Sequence, residues 1–371
     1  MAWSRGRAFA ALVGLALAQG AIAVDLDAYI KRDRFIDVVL SPTGEYFAAT
    51  IPYEDRTALA IVNRADNAVA GIFNPGRDNH AGEFRWVSDT RVVIQLEQKL
   101  GSRDEPWATG ELFAINADGR GAELLVGYRV ESTGPGTLIK PKKVEAVAAF
   151  PIDTMAEDDN HILINVWPLG VDDPYTRAEK LNVRSGRRVP VARSPVQNGE
   201  FHTDNSGQIR FVEGQGTDNA SKLYYRVGTD WKLLNDENIS GARHIPIGFS
   251  EDNQVAYIRK EQPTGPDAIV AWTPSSDSTK EVFRDKTADP LRIIHRNGTW
   301  IPVGVMVMDG RVRTEFFDAQ SPEARMYRSL EAAFGGAVRV TSATRDGRTL
   351  LVQTWAGDNP GDFYVFDTEK K

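Results

Sequence analysis

The 371-residue chain contains no cysteine. That excludes disulfides, thiol nucleophiles, thiolate metal sites and cysteine-bound iron–sulfur clusters, and it leaves the fold to be held by its core alone. Histidine is scarce: His80, His161, His202, His244 and His295 are all there are. They lie far apart, mostly at the starts of predicted strands or in turns. The chain has no His-Glu-x-x-His and no EF-hand spacing. A basic surplus is missing too. The formal net charge of -7 argues against a nucleic-acid partner. The pentapeptide Gly-x-Ser-x-Gly, which seats a serine on the strained strand-to-helix turn of α/β-hydrolases, occurs nowhere in the chain.

Long apolar runs are absent with one short exception. "MAWSRGRAFAALVGLALAQGAIA" places Arg5 and Arg7 before an apolar run over residues 8–18 and ends on Ala21-Ile22-Ala23. A basic start, a run too short to span a bilayer and a small-residue end together read as a secretory signal peptide, residues 1–23, cleaved after Ala23. The mature chain, residues 24–371, is expected to be exported to a periplasm or the extracellular space, with no membrane span. Its hydrophobic content of 42% and charged content of 26% are those of a globular protein with a sizeable core.

What is present is repetition. "VVLSPTGEYFAAT", "FRWVSDTRVVIQ", "TMAEDDNHILINV", "FHTDNSGQIRFV", "IGFSEDNQVAYI" and "VTSATRDGRTLLVQT" share one form: apolar strand, polar turn, apolar strand. The turns are rich in Gly, Asp and Asn, which tolerate positive φ or bond to their own backbone. A second hairpin follows each, as in "ALAIVNRADNAVAGIF", "ELFAINADGRGAELLV", "EKLNVRSGRRVPVA", "KLYYRVGTDWKLL" and "AIVAWTPSSDSTKEVF". Two hairpins make a four-stranded antiparallel unit. Units start near Ile36, Glu83, Glu145, Gly199, His244, Leu291 and Ala337, a period of roughly 45 to 60 residues that suits propeller blades. The expected fold is all-β: a seven-bladed β-propeller of four-stranded antiparallel blades, the last incomplete.

Departures from the repeat are informative. Residues 98–110 and 128–143 are longer than a hairpin needs, and the second stretch carries Lys140, Lys142 and Lys143. In the sixth unit "SPEARMYRSLEAAF" stands where a fourth strand is due. Ser321 can cap Pro322, and Ala324, Tyr327, Leu330 and Phe334 recur at helical spacing, so a helix is predicted. A helical turn is also predicted at "DLDAYIKRDRF". The final "GDFYVFDTEKK" reads as a third strand, residues 362–367, and a turn toward a fourth.

Candidate chemistry is thin. "HTD" (202–204) and "EDDNH" (157–161) hold metal-ligand residue types, but the second reads better as a solvated turn before a strand over 162–166. "STGPGT" (132–137) lacks the Lys-Ser/Thr of a phosphate loop. Trp86, Trp107, Trp167, Trp231, Trp272, Trp300 and Trp355 are expected mostly in the core, with one or two lining a central channel or rim. Asn219, Asn238 and Asn297 match glycosylation acceptors. No catalytic residue, metal site or cofactor is assigned, and no substrate-binding residue can be named.

The quoted hairpins, and above all the ending "VTSATRDGRTLLVQTWAGDNPGDFYVFDTEKK", resemble the N-terminal propeller of the prolyl oligopeptidase (S9) serine peptidases, of the acylaminoacyl-peptidase and dipeptidyl-aminopeptidase type. The resemblance covers essentially the whole mature chain. It implies a module that gates and size-selects peptides for a hydrolase domain or partner chain, whose catalytic serine, aspartate and histidine are not in this sequence. Some members hold the substrate amine with paired glutamates on the propeller; this chain has no Glu-Glu pair, so that role is not transferred. The alternative is a stand-alone exported propeller that binds a ligand or protein. Oligomeric state is left open.

Overall fold

The computed structural model describes residues 35–99, 101, 105–129, 145–356 and 359–370. The expected signal peptide, residues 25–34 of the helical turn predicted over 25–35, the glycine-rich stretch 132–137 and Lys140, Lys142 and Lys143 lie outside them.

The chain is all-β and arranged as a propeller. Blade 1 consists of β1 (Val38–Leu40), β2 (Tyr46–Pro52), β3 (Thr57–Asn63) and β4 (Val69–Phe73); blade 2 of β5 (Asn79–Ser88), β6 (Arg91–Gln98), β7 (Trp107–Asn116) and β8 (Glu123–Val126). Blade 3 holds β9 (Val147–Asp153), β10 (His161–Pro168), β11 (Arg177–Asn182) and β12 (Arg188–Arg193). Blade 4 holds β13 (Glu200–Thr203), β14 (Ile209–Gln215), β15 (Ser221–Val227) and β16 (Asp230–Asp236). The short helix α1 (Glu237–Ser240) leads into blade 5, with β17 (His244–Phe249), β18 (Ala256–Lys260), β19 (Ala268–Thr273) and β20 (Ser278–Arg284). A three-stranded sheet follows, β21 (Pro290–His295), β22 (Pro302–Asp309) and β23 (Arg311–Phe316). Helix α2 (Pro322–Phe334) then leads to a second three-stranded sheet, β24 (Ala337–Ala343), β25 (Thr349–Ala356) and β26 (Asn359–Asp367).

The structure therefore shows five blades, not seven. The repeat starts near Leu291 and Ala337 open sheets of three strands, so four-strandedness fails in the last two units. In the first of these α2 takes the outer position for the reason its sequence predicts. Ser321 Oγ accepts from the Ala324 amide at 3.1 Å, Pro322 occupies the first turn, and Ala324, Tyr327 and Leu330 are buried on one face. Phe334, the fourth member of that stripe, instead packs on Tyr364 of β26 at 4.7 Å and stays partly exposed.

The core sits between blades rather than within one. Along β10, Ile162, Ile164 and Val166 pack toward blade 2, while the intervening Leu163 packs against Phe201, Ile209 and Val212 of blade 4. The period-2 pleat sends alternate residues to opposite neighbours, so a strand buried on both faces reads as a continuous apolar run. Gly110 (φ +77°) marks the closest approach of blades 2 and 3. A Cβ there would lie 2.2 Å from the Ala148 methyl, so only glycine fits.

First strands of successive units neighbour one another, β9 beside β13, β13 beside β17 and β24 beside β1, and so surround the propeller axis. The ring closes without a shared sheet: β1 pairs with β2 and β24 with β25. The Leu40 amide donates to Ser342 Oγ at 2.9 Å and the Arg345 amide donates to the Pro42 carbonyl at 2.8 Å. No helix among the described residues is long and apolar enough to cross a membrane.

Candidate functional site

Turns joining first to second strands gather at one end of the axis and bond to one another. Asn205 reaches the Ser250 carbonyl at 2.7 Å, and Arg296 meets Glu251 at 2.7 Å. Arg345 extends to Asp159 at 3.3 Å and Asp89 at 3.9 Å, joining the last sheet to blades 3 and 2. Just above, the Arg85 guanidinium of β5 lies 6.0 Å from the ring of Trp300, in the turn between β21 and β22. Side chains thus bridge the axis where the first strands finish.

A cavity of about 500 Å³ opens among the first two strands of blades 2 and 3 and the first strand of blade 4. Phe150, Trp167 and Phe201 form its apolar walls, and Glu83, Glu200 and Asn165 supply polar groups. Phe150 and Trp167 meet edge to face at 6.5 Å and 87°, the arrangement their ring quadrupoles favour.

Each polar group is placed differently. Glu83 is held by Arg85, whose Nε donates to Oε1 at 2.6 Å. Asn165, at 5% exposure, donates from Nδ2 to the Gly199 carbonyl at 2.8 Å, which fixes the chain where it enters β13 and so positions Glu200. Thr176 donates to the same carbonyl at 2.6 Å. The Asn165 Oδ1 is buried and has no hydrogen-bond partner among the described residues. Glu200 is exposed, opposite Glu213 in the β13–β14 ladder, and its charge acts on Arg243. Beside Glu83, the Glu97 carboxyl is pushed up by burial and then by the charges of Asp37 and Glu83.

The five histidines stay apart on β5, β10, β13, β17 and β21. His80 Nδ1 lies 3.0 Å from Thr57 Oγ1, and His161 pairs with Asp158 at 3.0 Å, in the turn that "EDDNH" predicts. The carboxylate of Asp204 in "HTD" is occupied by Arg210 at 2.6 Å and by the amides of Ser206 and Gln208, which is a turn lock. The tryptophans depart from expectation. Trp86 and Trp272 are buried, but Trp107 is 47% and Trp300 63% exposed, because the first begins β7 and the second sits in a turn. The segment over 98–110 is also shorter as a loop than its sequence suggests, since β6 ends at Gln98 and β7 begins at Trp107. Sequence reasoning named none of the cavity's polar residues. The available signal was positional: Glu83 and Glu200 both stand at or beside a repeat start.

A ring of antiparallel blades around a bridged axis, with a cavity in its wall, is a β-propeller, and its fold resembles that of solved prolyl oligopeptidase structures. The likeness is to solved structures: no protein-family model and no curated protein matches the chain. One is a prolyl endopeptidase described for the role of inter-domain dynamics in catalysis and specificity (TM-score 0.56, 14% identity, covering 91% of this chain and 48% of that one). Another is prolyl oligopeptidase B from Galerina marginata bound to a 35-residue hydrolysis and macrocyclisation substrate (TM-score 0.56, 10% identity, 90% and 48%). The chain spans about half the length of the solved structures it matches, and at these identities the shared feature is the fold.

Proposed function

We propose that this chain is the propeller of an exported S9-type serine peptidase, gating and size-selecting peptides for a hydrolase domain or partner chain that carries the catalytic serine, aspartate and histidine. The observation that carries the reading is the coverage. About nine-tenths of this chain superposes on about half of each of these prolyl oligopeptidase structures. The bridged axis supports a selecting role, because a channel with one end crossed by Arg85–Trp300 and Arg345–Asp159 admits only thin, unstructured chains. Fold alone does not assign function, so the test is biochemical.

The purified 371-residue chain is expected not to cleave aminoacyl or peptidyl p-nitroanilides and not to react with a fluorophosphonate serine-hydrolase probe. Turnover that survives rigorous purification and co-migrates with probe labelling would overturn the reading.

A further inference from the structure

We propose that the cavity between blades 2, 3 and 4 binds a neutral sugar, one hexopyranose unit held between an aromatic corner and two carboxylates. The corner is made by Phe150 of β9 and Trp167 of β10, which stand edge to face at 6.5 Å and 87°. A pyranose has the matching shape. Its ring C–H bonds form an apolar patch of slight positive charge that sits on the negative face of an aromatic ring, while its hydroxyls radiate from the rim. The volume of about 500 Å³ falls within the range of about 300–1,000 Å³ that small-molecule sites occupy.

The polar groups decide what else the ligand must be. Glu83 and Glu200 offer carboxylates, and the lining has no lysine, arginine, histidine, serine, threonine or tyrosine. Its two amides are committed: Gln95 Nε2 donates to Glu83 at 3.5 Å, and Asn165 Nδ2 donates to the Gly199 carbonyl at 2.8 Å. The site is thus rich in acceptors and poor in donors. Carbonyl or phosphate oxygens of a ligand would go unpaired there, and an unpaired buried acceptor costs on the order of 1–3 kcal/mol. Hydroxyls instead turn to donate, and a bond to an ionised carboxylate is charge-assisted. Nor does the site require a cation. Glu83 accepts from Arg85 at 2.6 Å, and the charge of Glu200 acts on Arg243. A neutral polyol leaves both guanidinium interactions in place and brings no charge of its own to desolvate.

This inference stands apart from the peptidase reading, and its test uses no peptidase activity. The purified chain is titrated with methyl β-D-glucopyranoside and methyl β-D-galactopyranoside, followed by tryptophan fluorescence and calorimetry. Ac-Ala-Pro-Ala-NH₂ and n-butylguanidinium serve as competitors. At least one glycoside is expected to bind saturably, and neither competitor to displace it. Glu200→Gln, a near-isosteric change at an exposed position, should weaken binding about tenfold, the loss of one charge-assisted hydrogen bond. Trp167→Ala should weaken it at least as much by removing a stacking face. Trp107→Ala, an exposed ring outside the cavity lining, should leave it unchanged. Circular dichroism melts establish that each variant is folded. Failure of both glycosides to bind, displacement by the peptide or the guanidinium, or binding unchanged in folded Glu200→Gln and Trp167→Ala would overturn the proposal.

Discussion

Lowering the pH from 7 toward 4.5 is expected to destabilise the propeller steeply. Burial pulls His202, His244 and His295 down to about 4 from an ordinary value of 6.5, with Arg243 adding to the effect at His202 and Lys260 at His244. The unfolded chain takes up these protons as pH falls below about 6.5, while the folded chain refuses them until about pH 4. Stability is thus full above the unfolded value and is lost as pH falls through this window. Each histidine contributes about 1.4 kcal/mol per pH unit, so three give a slope of about 4 kcal/mol per unit near pH 5. Glu97 and Glu213, both pushed up chiefly by burial, act in the opposite sense and offset part of this as they protonate. Even a reduced slope consumes a typical stability of about 5–15 kcal/mol within a few pH units. Urea denaturation at a series of pH values measures it directly. A free energy of unfolding that stays flat between pH 7 and pH 5 would show that the histidines are solvated.

Phe211→Ala is expected to be among the most damaging single substitutions. Phe211 is fully buried where blades 4 and 5 meet, and its ring lies 5.2 Å from Tyr225, 5.5 Å from Phe249 and 6.0 Å from Trp272. Removing it deletes the centre of a four-ring cluster whose members cannot collapse inward, since each is anchored on its own strand. The expected loss is about 3–5 kcal/mol, read as a lower urea midpoint at unchanged m-value. Phe211→Leu, which keeps most of the volume, should cost markedly less. Near-equal losses for the two variants would mean that the aromatic packing contributes little beyond bulk.

How much of this was legible beforehand follows from what each element depends on. The strands were readable because apolar alternation and Gly/Asp/Asn turns are local signals: β24 and β26 fall close to where the ending of the chain predicts them. Helix α2 was readable for the same reason, its Ser321 cap and its Ala324, Tyr327 and Leu330 stripe being written within one segment. The blade count failed because strand number in a unit depends on which partner a segment finds, and the last two sheets find only three strands. The cavity was invisible for a related reason. Glu83, Asn165 and Glu200 come from three blades, and nothing local in "GEFRW", "ILINVW" or "NGEFH" tells that they share a wall. Exposure of Trp107 and Trp300 was missed because tryptophan content says nothing about position along a strand.

The central claim, that this propeller works with a serine hydrolase, is tested most directly on the native protein. The gene product would be immunoprecipitated from its source through the propeller and treated with a fluorescent fluorophosphonate probe. The account predicts a labelled serine hydrolase in the precipitate, on a polypeptide about twice the length of this chain or on a co-precipitating partner, with labelling blocked by a serine-hydrolase inhibitor. A precipitate that contains the propeller and carries no label would contradict it.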